Sequence, residues 1–260
     1  DRNFTRGKLE KRMQEIDRCI ERYLTEMDTA DRQPAEIAEA RTTRLKEKMA
    51  TLKARMEQLK EIQSQLDQSP TGQISLTDPD ARAMATSTSR GLGGYNVQTA
   101  VDTQHHLIVA HEVTNIGSDR RQLAKMARLA KVAMAASDLQ VIADRGYYHG
   151  EEIHACEEAG VTPFVSKPMT SLAKANGRFD KEDFVFEPET GEYQCPAGSR
   201  LIWRFSTVDR GALVHKYWSS DCPRCVMKEK CTPSPYRRVA RGEFESSLEA
   251  MQKRLDMKPE

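Results

Sequence analysis

Apolar residues in the first quarter of the chain follow helical spacing and predict two helices. Between residues 5 and 27 they recur every three or four positions, with charged residues between them. Pro34, which suits the first turn of a helix, interrupts the pattern. A heptad follows, with Gln63 as its polar exception and with apolar a and d positions at Leu45, Met49, Leu52, Met56, Leu59 and Leu66. We expect an antiparallel helical hairpin over residues 1–68, serving either as a DNA-clamping or dimerising arm or as a stalk that buries its own seam.

The apolar pattern is lost over residues 69–94, which are rich in Ser, Thr, Gly and Asp. Glycines and prolines recur there and argue against long elements, so we expect a linker. Asp78-Pro79-Asp80 predicts a cap for a short helix from Ala81 to Met84. Arg82 and Arg90 are weak candidates for phosphate contacts, and a solvated loop is the simpler interpretation.

Short apolar runs then alternate with helical patterns and predict an α/β core over residues 95–178. Strands are expected at 95–102, 105–113, 141–143 and 161–165, and helices at 118–135 and 150–159. The first two strands form a hairpin and the others alternate with helices, which predicts a mixed sheet covered by helices. The pattern becomes β-rich over residues 179–240, where two hairpins are expected, and a closing helical region starts within 241–260.

The composition limits the function classes. The 260 residues carry 40 Lys and Arg against 39 Asp and Glu, so global charge gives no support for nucleic-acid binding and any basic surface is local. No apolar run is long enough to span a membrane, and the charged N-terminus has no signal-peptide core. We therefore expect a cytoplasmic protein without membrane partners.

Two of the predicted strands end on an aspartate, at Asp102 and Asp144. A carboxylate at the end of an apolar run is costly to bury without a partner. If the strands are neighbours, the two carboxylates repel each other, and a divalent cation is the usual remedy. The alternative, which spacing alone leaves open, is that each aspartate simply ends its strand at a turn.

Four of the six cysteines lie within about 37 residues, at Cys195, Cys222, Cys225 and Cys231. The Cys-x-x-Cys spacing is that of a zinc knuckle, and four thiolates from two β-segments make a closed tetrahedral site. Reduced thiols packed in a small β-layer are the alternative. We favour structural Zn²⁺, because a lone Cys-x-x-Cys is common whereas four clustered cysteines are not.

Two stretches that contain the aspartates resemble DDE transposases of bacterial insertion sequences. They are Gly94-Tyr95-Asn96-Val97-Gln98-Thr99-Ala100-Val101-Asp102 and Ile142-Ala143-Asp144-Arg145-Gly146-Tyr147-Tyr148. Val113-Thr114-Asn115 and the segment 119–123 add to the match. The helical hairpin and the late cysteines resemble one sub-branch of that group.

The resemblance implies an RNase H-like fold with Asp102 on the first strand and Asp144 at the end of the fourth. It implies that both bind Mg²⁺ (or Mn²⁺) in two-metal phosphoryl transfer, and that Arg145 and Tyr147 are weak candidates for DNA contacts. The partners would be transposon ends and target DNA, and the full-length protein would be a homodimer.

The third acid of the family is a glutamate on a later helix, and we find no matching segment here. We expect it beyond Glu260, and the family's helix-turn-helix region before Asp1. The chain is therefore expected to be truncated at both ends and inactive alone. An RNase H-like nuclease, and a non-catalytic DNA-binding or oligomerising transposase fragment, remain the alternatives.

Overall fold

A computed structural model of the chain describes residues 3–30, 35–85, 90–168, 172–209 and 211–257. It confirms the α/β class: helices combine with a parallel strand pair and antiparallel sheets. The chain divides into two compact units, the first formed by residues 1–97 with 113–117 and the second by residues 98–112 with 118–260.

The first unit begins with two long helices, α1 (Arg6–Ala30) and α2 (Ala35–Gln68). They run antiparallel, since Arg6 near the start of α1 forms an ion pair with Asp67 near the end of α2. Strand β1 (Asn3–Thr5) precedes α1 and pairs antiparallel with β2 (Gln73–Ser75) after α2. The predicted helical hairpin is thus present. Pro34, the predicted helix break, lies outside the described residues.

The seam between the helices uses the apolar positions that the heptad predicts. Its buried and partly buried members, contributed by both helices and both short strands, are Phe4, Leu9, Met13, Ile16, Ile20, Leu52, Met56, Leu59, Ile62, Leu66 and Ile74. Gln63, the polar exception, is only half-buried. Since α2 carries charged residues on its other positions, burial of this stripe supplies the main stabilisation of the hairpin.

Truncating the seam is expected to destabilise the hairpin. Leu59 is buried, so Leu59→Ala removes apolar packing, leaves a cavity and should lower the free energy of unfolding by about 2–4 kcal/mol. Leu24→Ala makes the same change at a position of α1 that is 48% exposed and should cost less than about 1 kcal/mol. Urea denaturation followed by helical circular dichroism measures both. Equal destabilisation of the two variants would contradict the seam.

The predicted linker contains short strands instead of loops alone. After β2, strand β3 (Arg82–Ala85) pairs antiparallel with β4 (Arg90–Gly94). The helix expected from Ala81 to Met84 is therefore wrong. Asp78 accepts the backbone N–H of Asp80, so its side chain stabilises a turn that leads into a strand and not into a helix.

The second unit contains the core of alternating strands and helices. Hairpin strands β5 (Asn96–Val101) and β6 (Ile108–Thr114) are followed by α3 (Leu123–Ala133), β7 (Leu139–Ala143), α4 (Gly150–Glu158) and β8 (Val161–Val165). Strands β7 and β8 are parallel. The core is formed by residues of α3, α4, β8 and the last helix, which are Leu123, Ala124, Ala127, Ile153, Cys156, Val161, Val165 and Met251.

The strands that carry the two aspartates do not pair with each other. Strand β5 pairs with β6 and β7 pairs with β8, in separate two-stranded sheets. The expectation that Asp102 and Asp144 end hydrogen-bonded neighbouring strands is therefore wrong for the described residues. Side chains, described below, make the link that a backbone ladder would otherwise provide.

A five-stranded antiparallel sheet follows, in the order β13-β12-β11-β10-β9. Its strands are β9 (Val185–Glu187), β10 (Glu192–Gln194), β11 (Arg200–Asp209), β12 (Ala212–Trp218) and β13 (Val239–Gly242). The short helix α5 (Lys228–Cys231) lies between β12 and β13, and α6 (Glu245–Met257) follows β13. One face of the sheet packs around Phe184, Tyr193, Leu201, Tyr217 and Val239. Both predicted hairpins are present, and β13 is a strand that the sequence pattern did not reveal.

Candidate functional site

Asp102 follows β5 at the start of the turn to β6. Its carboxylate accepts the backbone N–H groups of His105 at 2.6 Å and Gln104 at 3.3 Å, and His105 Nδ1 lies 3.1 Å from Oδ2. The hydrogen bond from the His105 backbone, followed by that from Gln104, lowers the pKa of Asp102. Asp102 is therefore an ionised acceptor at neutral pH, held in one orientation by its own turn.

Asp144 lies at the end of β7 and caps a single 3₁₀ turn, Arg145–Tyr147. Its Oδ1 accepts the backbone N–H of Gly146 at 2.6 Å, and the residue is exposed. A Cβ atom on Gly146 would lie 2.8 Å from this oxygen, closer than real Cβ contacts come. Only glycine fits here without moving the carboxylate.

A second carboxylate, Asp119, lies beside Asp144. The position a Cβ would take on Gly146 is 3.8 Å from Asp119 Oδ2 and 2.8 Å from Asp144 Oδ1, so both carboxylates flank the same glycine. Asp119 begins the 3₁₀ turn before α3, and Ser118 caps that turn. The sequence did not reveal its place beside Asp144.

A hydrogen-bonded chain joins the strand of Asp102 to the turn of Asp144. Gln98, which is buried on β5, donates from Nε2 to Asp119 Oδ1 at 2.7 Å and accepts from the Tyr147 hydroxyl at 2.5 Å. Burial, followed by the nearby charges of Asp119 and Asp144, raises the pKa of Tyr147, so the hydroxyl keeps its proton and donates. This contact fixes the two strand ends relative to each other without a backbone ladder.

Removing the Tyr147 hydroxyl is expected to weaken this link. Tyr147→Phe removes the hydroxyl that donates to the buried Gln98 side chain, and losing this hydrogen bond should lower the free energy of unfolding by about 1–3 kcal/mol. Tyr148→Phe is the matched control, because that hydroxyl makes no hydrogen bond within the described part of the chain. Urea denaturation of the two variants measures the difference. A decrease for Tyr148→Phe as large as for Tyr147→Phe would contradict the assigned role.

The four candidate DNA-contact residues fall in different places. Arg145 is exposed directly after Asp144, and Tyr147 belongs to the link described above. Arg82 in the first unit donates from Nη1 to the carbonyl oxygens of Pro79 and Ala81, so its guanidinium is held by its own loop. Arg90 is in β4, and its side chain lies outside the described residues.

The four clustered cysteines line one cavity of about 30 Å³ in the second unit, the size of a single water or ion. All four are free thiols. Burial raises the pKa of Cys231, Arg237 lowers it, and the other three thiols raise it further, which reflects their proximity. Across the residues that the structure describes, no group of three or more His, Cys, Asp or Glu side chains is arranged as a metal site.

The described helices include none with both the length and the apolar character of a membrane span. What they and the strands define is an α/β protein with aspartates at strand ends, a helical hairpin and a cysteine-lined β-layer. The family model Transposase DDE domain matches residues 49–193, more than half of the chain. The chain belongs to the DDE transposases, a family whose substrate is DNA and whose members generally use divalent metal ions. No curated protein and no solved structure matches it.

Proposed function

We propose that the chain carries the catalytic region of a transposase that cleaves and transfers DNA strands with a divalent cation held by Asp102 and Asp144. The observation that carries the proposal is the family match, whose range contains both aspartates. Carboxylate oxygens suit Mg²⁺ or Mn²⁺, which are hard cations. When bound, the cation activates the attacking oxygen and stabilises the leaving oxygen of the phosphate.

The residues of the chain provide charge and orientation for this chemistry. Asp102 is ionised and fixed by its turn, and Asp144 is exposed at the end of β7 with one oxygen held by the Gly146 backbone. The Gln98–Tyr147 contact restrains the two segments that carry them. Both carboxylates are oriented before the reaction and need not reorganise during it. A cation held by them stabilises the negative charge that develops on the phosphate in the transition state.

The resemblance also requires a third acid, a glutamate on a later helix. Glu245 and Glu249 on α6 are engaged elsewhere, since Glu245 pairs with Lys181 and Glu249 pairs with Arg241 at 2.5 Å. Neither is assigned the role. Our proposal that Glu245 and Glu249 do not complete the site, and that the present chain is inactive alone, is tested by comparing it with a version extended past Glu260.

Incubation of plasmid DNA with the chain, or with the extended version, in Mg²⁺ or Mn²⁺ tests the proposed function. Nicking followed by joining of the cut ends to a second DNA supports transposition. Nicking without joining supports the RNase H-like nuclease instead. If neither version cleaves and neither binds Mn²⁺ by electron paramagnetic resonance, the chain is a non-catalytic DNA-binding or oligomerising fragment and the proposal fails.

We also propose that Cys195, Cys222, Cys225 and Cys231 bind one structural Zn²⁺. The support is that all four cysteines line the same cavity, between the end of β10 and the short helix α5. Thiolates are the preferred ligands of structural zinc, and four of them complete its tetrahedral shell. In the described residues the four side chains are not arranged as a metal site, so coordination requires them to move closer together.

The helical hairpin is proposed as the arm through which the full-length protein clamps DNA or forms a homodimer. Its support is the length of α2, 34 residues, with an outer surface of alternating charges. Sedimentation of the full-length protein with and without residues 1–68 tests dimerisation. An unchanged number of chains per particle after removal of the hairpin would leave it as a stalk that stabilises only itself.

A further inference from the structure

Positive charge is concentrated in one part of a nearly neutral chain. Residues 200–241 contain ten Lys and Arg against three Asp and Glu, whereas the whole chain has a net charge of +1. This segment contains β11, β12 and β13 of the five-stranded sheet and the connection between β12 and β13, which carries five of the ten basic residues. A local excess of this kind is the electrostatic pattern of a nucleic-acid surface.

The sheet has an outer face as well as the face that packs on its core. Tyr217 is buried in the core, so the next residue, Trp218, points to the opposite side. Ile202 on β11 pairs directly with Trp218, and both therefore lie on this outer face. The order of strands places β13 on the other side of β12, which brings Arg238 next to Trp218.

Two arginines pack on the Trp218 ring. The guanidinium carbons of Arg204 and Arg238 lie 5.4 Å and 5.3 Å from its centroid, within the range of cation–π attraction. Arg204 is held further by hydrogen bonds to the Trp218 carbonyl at 3.2 Å and to Ser220 Oγ at 2.8 Å. A bulge between Trp203 and Phe205 in β11 gives Arg204 this place. The guanidinium groups are thus oriented before any ligand arrives.

Exposed aromatic surface adjoins these arginines. Phe205 is 43% exposed and meets Trp218 edge-on, with ring centroids 6.0 Å apart. The ring of Tyr236 also lies beside Trp218, with centroids 6.4 Å apart. We call Arg204, Phe205, Trp218, Tyr236 and Arg238 the arginine–aromatic face. Oriented guanidinium groups beside exposed rings match a ligand that alternates phosphates with flat bases.

We propose that the arginine–aromatic face binds an unpaired strand of DNA, with Arg204 and Arg238 on phosphates and Phe205 stacking on a base. Duplex DNA satisfies the arginines but hides its base faces, so the exposed ring favours a single strand. The inference rests on the proposed function for its ligand, since a strand that has been cut is free to separate from its complement near the new end. The binding itself needs neither the aspartates nor the cation that they are proposed to hold.

Both tryptophans of the chain lie in this sheet, so intrinsic fluorescence reports on it directly. Trp203 pairs with Tyr217 and lies on the other face, so Trp203→Phe leaves Trp218 as the single reporter. Titration of that variant with a single-stranded oligonucleotide, in buffer without added Mg²⁺ or Mn²⁺, should quench its emission, and a duplex of equal length should bind more weakly. No quenching, or equal affinity for both DNAs, would overturn the proposal.

Substitutions distinguish binding at this face from non-specific electrostatic attraction to DNA. Arg204→Ala with Arg238→Ala should weaken single-strand binding at least about tenfold and reduce the salt slope by about 1.4, which is about 0.7 for each phosphate that is no longer neutralised. Phe205→Ala should weaken it about tenfold with the slope unchanged. The control, Lys53→Ala with Arg55→Ala on α2, removes the same charge elsewhere. Equal weakening by the control pair would show that binding is non-specific attraction.

Measuring metal-dependent cleavage and metal binding alongside DNA binding distinguishes failure of this inference from failure of the proposed function. If strand cleavage depends on Asp144 but added DNA does not change the fluorescence of Trp218, the proposal for the arginine–aromatic face fails and the catalytic proposal stands. If the face binds single strands while Asp144→Asn leaves metal binding intact, the reverse holds. Thermal denaturation of each variant shows that an affinity change does not come from unfolding.

Discussion

Asp144→Asn is expected to abolish high-affinity binding of Mn²⁺ by this chain. In any version of the protein that cleaves DNA, it should also lower the metal-dependent cleavage rate at least about 100-fold. The substitution keeps the size of the side chain and its hydrogen bond from Gly146, but it removes the charge that offsets the cation. Electron paramagnetic resonance of Mn²⁺ gives the affinity directly, so the result does not depend on turnover. Asp102→Asn should have the same effect.

Asp138→Asn is the matched control. Asp138 is exposed just before β7, and Asp144 directly follows that strand, so the two substitutions remove equal charge at opposite ends of one element. Mn²⁺ affinity should not change in the control. Undiminished Mn²⁺ binding by both Asp102→Asn and Asp144→Asn would show that the cation binds elsewhere.

Cys225→Ser is expected to remove one bound Zn²⁺ per chain and to lower the stability of the five-stranded sheet by several kcal/mol. The reason is that a structural zinc site contributes its binding free energy to folding, on the order of 10 kcal/mol in small zinc domains. Metal analysis of the purified protein gives the zinc content. Thermal unfolding, followed through the fluorescence of Trp203 and Trp218, gives the change in stability of the layer that holds them.

Cys19→Ser provides the control, since Cys19 is a half-buried free thiol on α1 in the first unit. Its zinc content and the unfolding of the sheet should match those of the unaltered chain. Treatment with a strong chelator should reproduce the Cys225→Ser result in the unaltered protein. A protein that contains no zinc, and unfolds identically with and without chelator, would refute the site.

Elements with a repeated apolar pattern could be predicted from the sequence. The heptad of α2 gave its buried residues, and the short run Val161–Val165 gave a strand of a parallel pair with Val161, Pro163 and Val165 buried. Strands β3 and β13 were missed because each has only four residues and contains Ala, Arg or Gly instead of alternating β-branched side chains. Such strands form because a partner strand is close by, which no local pattern records.

The candidate site could be predicted only in part, because sequence patterns report on local neighbours and not on contacts between distant segments. Asp102 and Asp144 stood out because each follows an apolar run. The side chains that connect their segments did not, since Tyr147 and Gln98 are 49 positions apart and no periodicity links them. A buried glutamine within a strand was the available signal: its amide needs partners on both sides, and it finds Asp119 and Tyr147.

The short ladder at the base of the helical hairpin determines how that unit would respond to mechanical tension. Asn3 pairs with Ser75 at the open end of the β1–β2 ladder, and Thr5 pairs with Gln73 next to the helices. A force that separates residues 3 and 75 pulls across the strands, along the hydrogen bonds, and loads one residue pair at a time. The ladder therefore opens like a zipper from its outer pair, and the helical seam bears tension only after the last pair has parted.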